Sequence, residues 1–262
     1  MSVPVRVVDT GLMSARRNVA ITAALHELHR VGQISDTLRF SSYSAAVLVG
    51  RQQRPADVVR LKACRRQRVE IARRITQGGA FYAGAGILTW DLVADRHGFA
   101  GLSGDVTDTI RSGLSAGLAR FGLPVRCRPR GNVELAGRTI AELSGTIEGP
   151  TMVFQGTVLV DVDVAEMERV FRQPRDRKSD ESGARLGERI TSLSEWLGRI
   201  PSMHEARGLL LAGLSHAWRR EFRADRLSPT EQRLADLLLA RGVGTEPFGD
   251  VPSAAATAGT HA

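Results

Sequence analysis

Lysine is almost missing from this chain of 262 residues. Lys62 and Lys178 are its only two lysines, and arginine supplies the rest of a net charge of +8. No lysine lies between them, so chemistry in that stretch that needs an amine has none to use. Arginine is no substitute, because it stays protonated near neutral pH and cannot exchange a proton or be acylated like lysine. Cysteine is also scarce. Cys64 and Cys127 cannot build a disulfide framework, which agrees with a reducing compartment. Aromatics make up 5% of residues, and the arginines are dispersed. With no helix-turn-helix, zinc or RNA-binding signature, the basic charge argues for no nucleic acid partner. It fits either a simple compositional bias or a basic surface for an acidic partner. No apolar run approaches the roughly 20 residues that span a bilayer, and the N-terminus lacks a signal-peptide core. The expectation is a cytoplasmic protein without membrane contact. His26 and His29 stand three apart with no further ligand type near them, so no metal site is expected.

Strands and helices interleave. Apolar residues at helical spacing predict amphipathic helices over 14–31 and 105–121, with Ser14 and Asp105 as caps. Strands are predicted within 37–50, at 69–72, at 87–93, and through most of 125–163, where Val and Leu are dense. Short helices are expected at 55–67 and 164–171. Two longer ones are expected at 202–222 and 228–241, the last opened by Ser228-Pro229-Thr230-Glu231. The class is α+β. Residues 1–172 read as the catalytic unit, 173–189 as a polar linker, 190–248 as a helical C-terminal part of the same domain, and 249–262 as a disordered tail.

The stretch Arg73-Arg74-Ile75-Thr76-Gln77-Gly78-Gly79-Ala80 carries the most chemistry. A β-like run ends in two arginines and enters a turn that glycines permit. Glycine lets a ligand approach the backbone, and arginine offers planar donors to phosphate or carboxylate. On spacing alone a β-turn with two solvated arginines is the favoured reading, because short glycine motifs often arise by chance.

The flanks add more. Thr37-Leu38-Arg39-Phe40 precedes the loop, as does Ala46-Val47-Leu48-Val49-Gly50-Arg51-Gln52. Gly86-Ile87-Leu88-Thr89-Trp90 follows it, and Phe154-Gln155-Gly156 opens a run ending at Asp163. In this order the pieces resemble the lipoate–protein ligase and octanoyltransferase family, which shares its catalytic fold with biotin–protein ligases. The resemblance covers roughly residues 15 to 248. It implies a mixed central β-sheet flanked by helices. It implies lipoyl or octanoyl transfer to a lysine of a carrier domain, with lipoate or octanoate as substrate and ATP and Mg2+ on the ligase route. It also admits a sister subunit as partner. The acyl or adenylate cradle would be Arg73, Arg74, Thr76, Gly78, Gly79 and Ala80, with Arg138 and Gly156 nearby. Val47, Val49, Ile71 and Leu88 are either tunnel or ordinary core.

The departures matter as much. Gln77 replaces a family glycine, which costs little only if its φ is negative. Ala83-Gly84 replaces a polar pair. The family pattern Gly, basic residue, Lys, Ile or Val, Ala or Ser, Gly reads here Gly137-Arg138-Thr139-Ile140-Ala141-Glu142, so Thr139 stands at the lysine. Losing such a charge-stabilising donor costs about 3–4 kcal/mol in the transition state. Asn132-Val133 lacks the carboxylate of the family's metal-linked step, and Gln155 replaces a histidine. Cys127, flanked by Arg126 and Arg128, lies near where one branch of octanoyltransferases carries a thioester-forming cysteine. It reads either as that nucleophile, its thiolate favoured by the arginines, or as an inert strand cysteine. Two functions therefore stand side by side. One is a transferase or ligase homologue. The other is a non-catalytic member of the fold that binds an acylated domain or a partner subunit.

Overall fold

A computed structural model describes residues 3–99, 105–128, 132–172 and 185–244. The chain opens with strand β1 (Val5–Met13), which hands over at Ser14 to helix α1 (Ala15–Arg30). The Ser14 hydroxyl accepts from the Arg17 amide and stops one exposed N–H from going unpaired. Then come β2 (Thr37–Tyr43), β3 (Ala46–Val49), α2 (Pro55–Val58), α3 (Leu61–Gln67) and β4 (Glu70–Arg73). After the glycine loop follow β5 (Phe81–Ala83), β6 (Ile87–Asp95) and a 3-10 turn at Arg96–Phe99. Helix α4 (Val106–Ala119) precedes a meander of β7 (Val125–Cys127), β8 (Val133–Leu135), β9 (Arg138–Glu148) and β10 (Thr151–Leu159). The last described elements are α5 (Val164–Val170), α6 (Leu186–Arg189), α7 (Leu193–Leu197), α8 (Met203–Trp218), β11 (Phe222–Asp225) and α9 (Pro229–Ala240).

Eight strands make the main sheet in the order β11-β1-β2-β6-β10-β9-β8-β7. The β11-β1-β2 edge is parallel and the rest antiparallel. A small sheet, β4-β3-β5, stands apart from it. Side chains alternate across a strand, so the main sheet has two unlike faces. Leu88, Trp90 and Leu92 point into one apolar core with Ile110, Leu114, Leu210 and Leu214 of α4 and α8. Asp91 and Val93 point the other way, where Val93 packs with Ile21, Ala24 and Leu25 of α1. The small sheet has its own apolar cluster, built on Val47, Val49, Leu159, Met167 and Val170.

Three expectations need correcting. The C-terminal segment is not only helical: β11 adds a parallel strand beside β1, pairing Val5 with Phe222 and Val8 with Asp225. The helix expected at 55–67 is broken in two, because Val59 is extended and bridges to Phe171 while the Arg60 amide donates to Val170 O at 2.8 Å. The expected linker is not polar chain throughout. Its end forms α6, and Leu186 packs on the small-sheet cluster together with the neighbouring Ile190. The rest of that linker and the expected tail at 249–262 lie outside the described residues. Strands β1 and β5 were not anticipated. The mixed α+β architecture with flanking helices is as expected. Among the described residues no helix is long and apolar enough to cross a membrane.

Candidate active site

The arginines at the end of β4 do different jobs. Arg74 is 1% exposed, so its guanidinium must find acceptors inside the protein. It donates to Thr76 Oγ1 at 3.3 Å, to Gln77 O at 3.2 Å, and to Gly79 O and Ser144 Oγ, while its plane lies 4.5 Å from the Phe81 ring. Burial lowers its pKa to about 10, against the opposing pull of Glu142, Tyr43 and Asp91, so it stays charged at neutral pH. Arg74 thus folds the loop around itself. Arg73 turns to the other side, donating to the carbonyls of Gly50 and Arg51. There, together with Arg74 and Thr76, it lines a cavity of about 470 Å3 that also contains His26, Arg51, Glu148 and Arg241.

Backbone geometry explains the glycines. Gly78 has φ +99°, and a Cβ there would sit 2.7 Å from the Ser144 Cβ. A Cβ on Gly50 would lie 2.0 Å from Gly78 O. A Cβ on Gly79 would meet nothing, since it faces an open cleft. Gln77 is not among the non-glycine residues with positive φ, so it replaces a glycine without strain.

Thr76 carries the loop's anchoring into the main sheet. Its hydroxyl donates to Gln155 Oε1 at 2.8 Å, and Gln155 Nε2 donates to Asp91 Oδ1 at 2.7 Å. Asp91 Oδ2 accepts from Arg39 Nε at 2.7 Å and from Thr22 at 3.0 Å, and Arg39 also donates to Asn18 O at 3.1 Å. Arg39, Asp91 and Gln155 are fully buried, so each bond of this relay acts in low dielectric. Arg39, Thr76 and Gln155, taken from three separate sequence motifs, are one network.

The cleft beside the loop has a volume of about 720 Å3. Phe81, Leu159, Met167, Phe171, Leu186 and Ile190 make its apolar wall. Gly79 and Ala80 of the loop, Thr139 and Glu142 of β9, and Asn132 and Glu134 make its polar part. A bulge in β9 sets the polar floor. Val133 pairs with Ala141 but Glu134 pairs with Thr139, so β9 carries one extra residue there. Ile140 and Ala141 both enter the core, and Thr139 and Glu142 both reach the cleft. Thr139 Oγ1 accepts from Asn132 at 3.5 Å, and its carbonyl accepts from the Thr191 amide at 2.9 Å. Burial pushes the Glu142 carboxyl up from the usual range, with the charge of Arg74 opposing.

Of the residues singled out in the sequence, Gly79, Ala80 and Thr139 meet in the cleft, with Arg74, Thr76 and Gly78 directly behind. Arg138 is held by Glu195 instead, outside the cleft. Gly156 lies within β10 opposite Trp90, where a Cβ would be 2.4 Å from the indole. It makes room for an aromatic, and its place is the α4/α8 core. Cys127 pairs with Val133, whose side chain enters that same core, and its Sγ donates to Arg111 O of α4 at 3.4 Å. The exposed thiol therefore sits on the sheet face away from the cleft, while Arg128 reaches the cleft with its Nε on Glu134 at 2.8 Å. Sequence reasoning missed Asp91, Ser144 and Glu142. Asp91 was signalled as a lone charge in an apolar run, and Glu142 as a carboxylate where the family pattern has glycine.

Residues 14–215 match the family model of the lipoyl protein ligase A/B catalytic domain. The chain belongs to this family. Among curated relatives of this lipoyl ligase family, an octanoyltransferase LipM of Symbiobacterium thermophilum is 29% identical over 92% of this chain and 96% of its own length. Lipoate-protein ligase A subunit 1 of Thermoplasma acidophilum is 24% identical over 90% and 92%. A crystal structure of lipoate-protein ligase A bound with ATP superposes with TM-score 0.78 at 21% identity, covering 91% of this chain and 95% of that one. The bi-partite lipoate protein ligase of Thermoplasma acidophilum gives 0.78 at 22% identity over 92% and 93%. At those identities the solved structures establish the shared fold.

Proposed function

We propose that this protein is an acyltransferase that moves a lipoyl or octanoyl group from an activated thioester donor to a lysine of a lipoyl carrier domain. One observation carries the reading: the glycine loop is held rigidly along a cleft whose other wall is apolar. The apolar wall suits a fatty or dithiolane chain. The open face at Gly79 lets an acyl head group approach the backbone.

Mg·ATP, which the ligase route uses, does not fit the residues present. The cleft carries three carboxylates, Glu134, Glu142 and Glu188, against three arginines, Arg128, Arg172 and Arg189, so its lining offers a triphosphate no net positive charge, and no lysine lines it. Among the described residues no group of three His, Cys, Asp or Glu is placed to hold a metal ion. The donor is accordingly one that arrives activated. With Cys127 on the far face, transfer runs directly from donor to acceptor within the cleft.

Thr139 supports the second reading. A member of the family without its lysine could hold an acylated domain, or a second subunit as in a bi-partite ligase, without turning over. One experiment separates the two. The protein is incubated with an octanoyl-carrier protein and an apo lipoyl domain, and the intact mass of the lipoyl domain is followed. Gain of one octanoyl group is the expected result. A stable complex with no mass gain would establish the binding reading instead.

A further inference from the structure

Glu142 is a carboxylate on the floor of the cleft beside the glycine loop. The β9 bulge brings it to the same face as Thr139, three residues away on one strand. Directly across β10 it is opposite Thr157. Two residues further along β9, Ser144 accepts from Arg74, the cation that folds the glycine loop. The carboxylate is thus held between the loop that would carry the acyl head group and the position where the family pattern places its lysine. The other charges facing the cleft are Glu134 with its partner Arg128, Arg172, and Glu188 and Arg189 of α6. Arg74 faces Glu142 from behind the loop.

We propose, resting on the acyl-transfer reading above, that Glu142 is the general base that deprotonates the acceptor lysine. The acceptor enters as an ammonium ion, which has no lone pair to attack with. One proton passes from Nζ to a Glu142 oxygen. The neutral amine then attacks the acyl carbonyl, forming the C–N bond, and the C–S bond of the thioester breaks. The thiolate leaves with the electron pair and takes the proton from Glu142, regenerating the carboxylate. The second proton of the attacking nitrogen goes to water. A half-buried carboxylate whose pKa lies above the usual range is a better acceptor for this proton than an ordinary surface glutamate.

The test uses the whole protein, an octanoyl-carrier protein as donor and an apo lipoyl domain as acceptor, with rates measured from about pH 6 to about pH 10, across the ordinary lysine range. In Glu142→Gln the expected result at neutral pH is a fall in kcat of about 10²–10⁴-fold with the donor KM unchanged. Its rate should then climb with pH as the lysine loses its proton unaided, approaching wild type at the alkaline end. Glu142→Asp should recover part of the loss. Glu142→Gly, which restores the residue of the family pattern, should behave like Glu142→Gln. A loss of equal size at every pH would mark a merely structural role and overturn the proposal. So would wild-type rates in Glu142→Gly. Absence of transfer by the wild-type protein would overturn the acyl-transfer reading itself, and Glu142's role with it.

Discussion

Arg74 shows how one side chain organises a site. Its donors hold Thr76, Gln77 and Gly79 of the loop and Ser144 of β9 in one arrangement. Arg74→Ala removes a charged donor from four acceptors, of which only Thr76 is buried, at about 1.5–3 kcal/mol for a hydrogen bond to a charged group. The variant should lose about 3 kcal/mol or more in urea unfolding and bind octanoyl thioester measurably more weakly. Unchanged unfolding would mean that the loop holds its shape without the guanidinium. Cys127 makes the opposite case. Cys127→Ser should retain full transfer and show no acyl adduct by intact-mass measurement. A dead variant, or an adduct on the wild-type thiol, would restore the thioester route. The sequence shows both residues equally well, a cysteine between arginines and an arginine pair before glycines. What it does not show is which way each side chain turns. For Cys127 that depends on the pairing with Val133, and for Arg74 on the acceptors that the loop and Ser144 bring to it.

Among the elements, α4 and α8 approach closely because glycines line the contact. A Cβ on Gly213 would lie 2.3 Å from both Gly113 O and Gly117 N. These are backbone atoms that cannot rotate away, so Gly213→Ala has to push the helices apart. Overpacking of this kind costs about 1–3 kcal/mol, and a fall in Tm of the purified variant is the expected readout. An unchanged Tm would show that the helix pair yields freely. Most elements were legible beforehand because their signals are local: Ser14 and Asp105 as caps, the helical spacing of α4, and Ser228-Pro229-Thr230-Glu231 opening α9. Two of the three missed strands are short and take their form from partners, while the third, β1, has nine residues. Strand β5 has three residues and pairs only with β3, and β11 has four and pairs with β1. Segments this short have too little period-2 pattern to announce themselves. They become strands because a neighbouring edge offers them hydrogen bonds.

For the whole molecule, the first and last described elements pack on each other. The family match runs from residue 14 to 215, so β1 lies before it and β11 and α9 lie after it. These outer pieces are joined through Arg6 of β1. Its Nε bonds Asp225 of β11 at 2.7 Å, and its Nη1 bonds Glu231 of α9, also at 2.7 Å. Glu231 is 1% exposed and also closes the capping box with Ser228. Burial pushes its carboxyl up, but Arg6 and Ser228 more than offset this and hold it below the usual glutamate range. A carboxyl with a depressed folded pKa contributes stability that is fully present above its unfolded pKa. That stability is lost as the pH falls through the lower, folded value. Arg6→Met removes the cation and leaves a buried carboxylate unpaired, at a cost of about 3 kcal/mol at neutral pH. As the pH drops, the wild type gives up this stabilisation, while the variant has none to lose and gains from protonating Glu231. Thermal melts of the two proteins from neutral to acid pH should therefore start well apart and converge. A gap that stayed constant with pH would mean that Arg6 acts by packing its stem, and that charge does not hold β1 to β11 and α9.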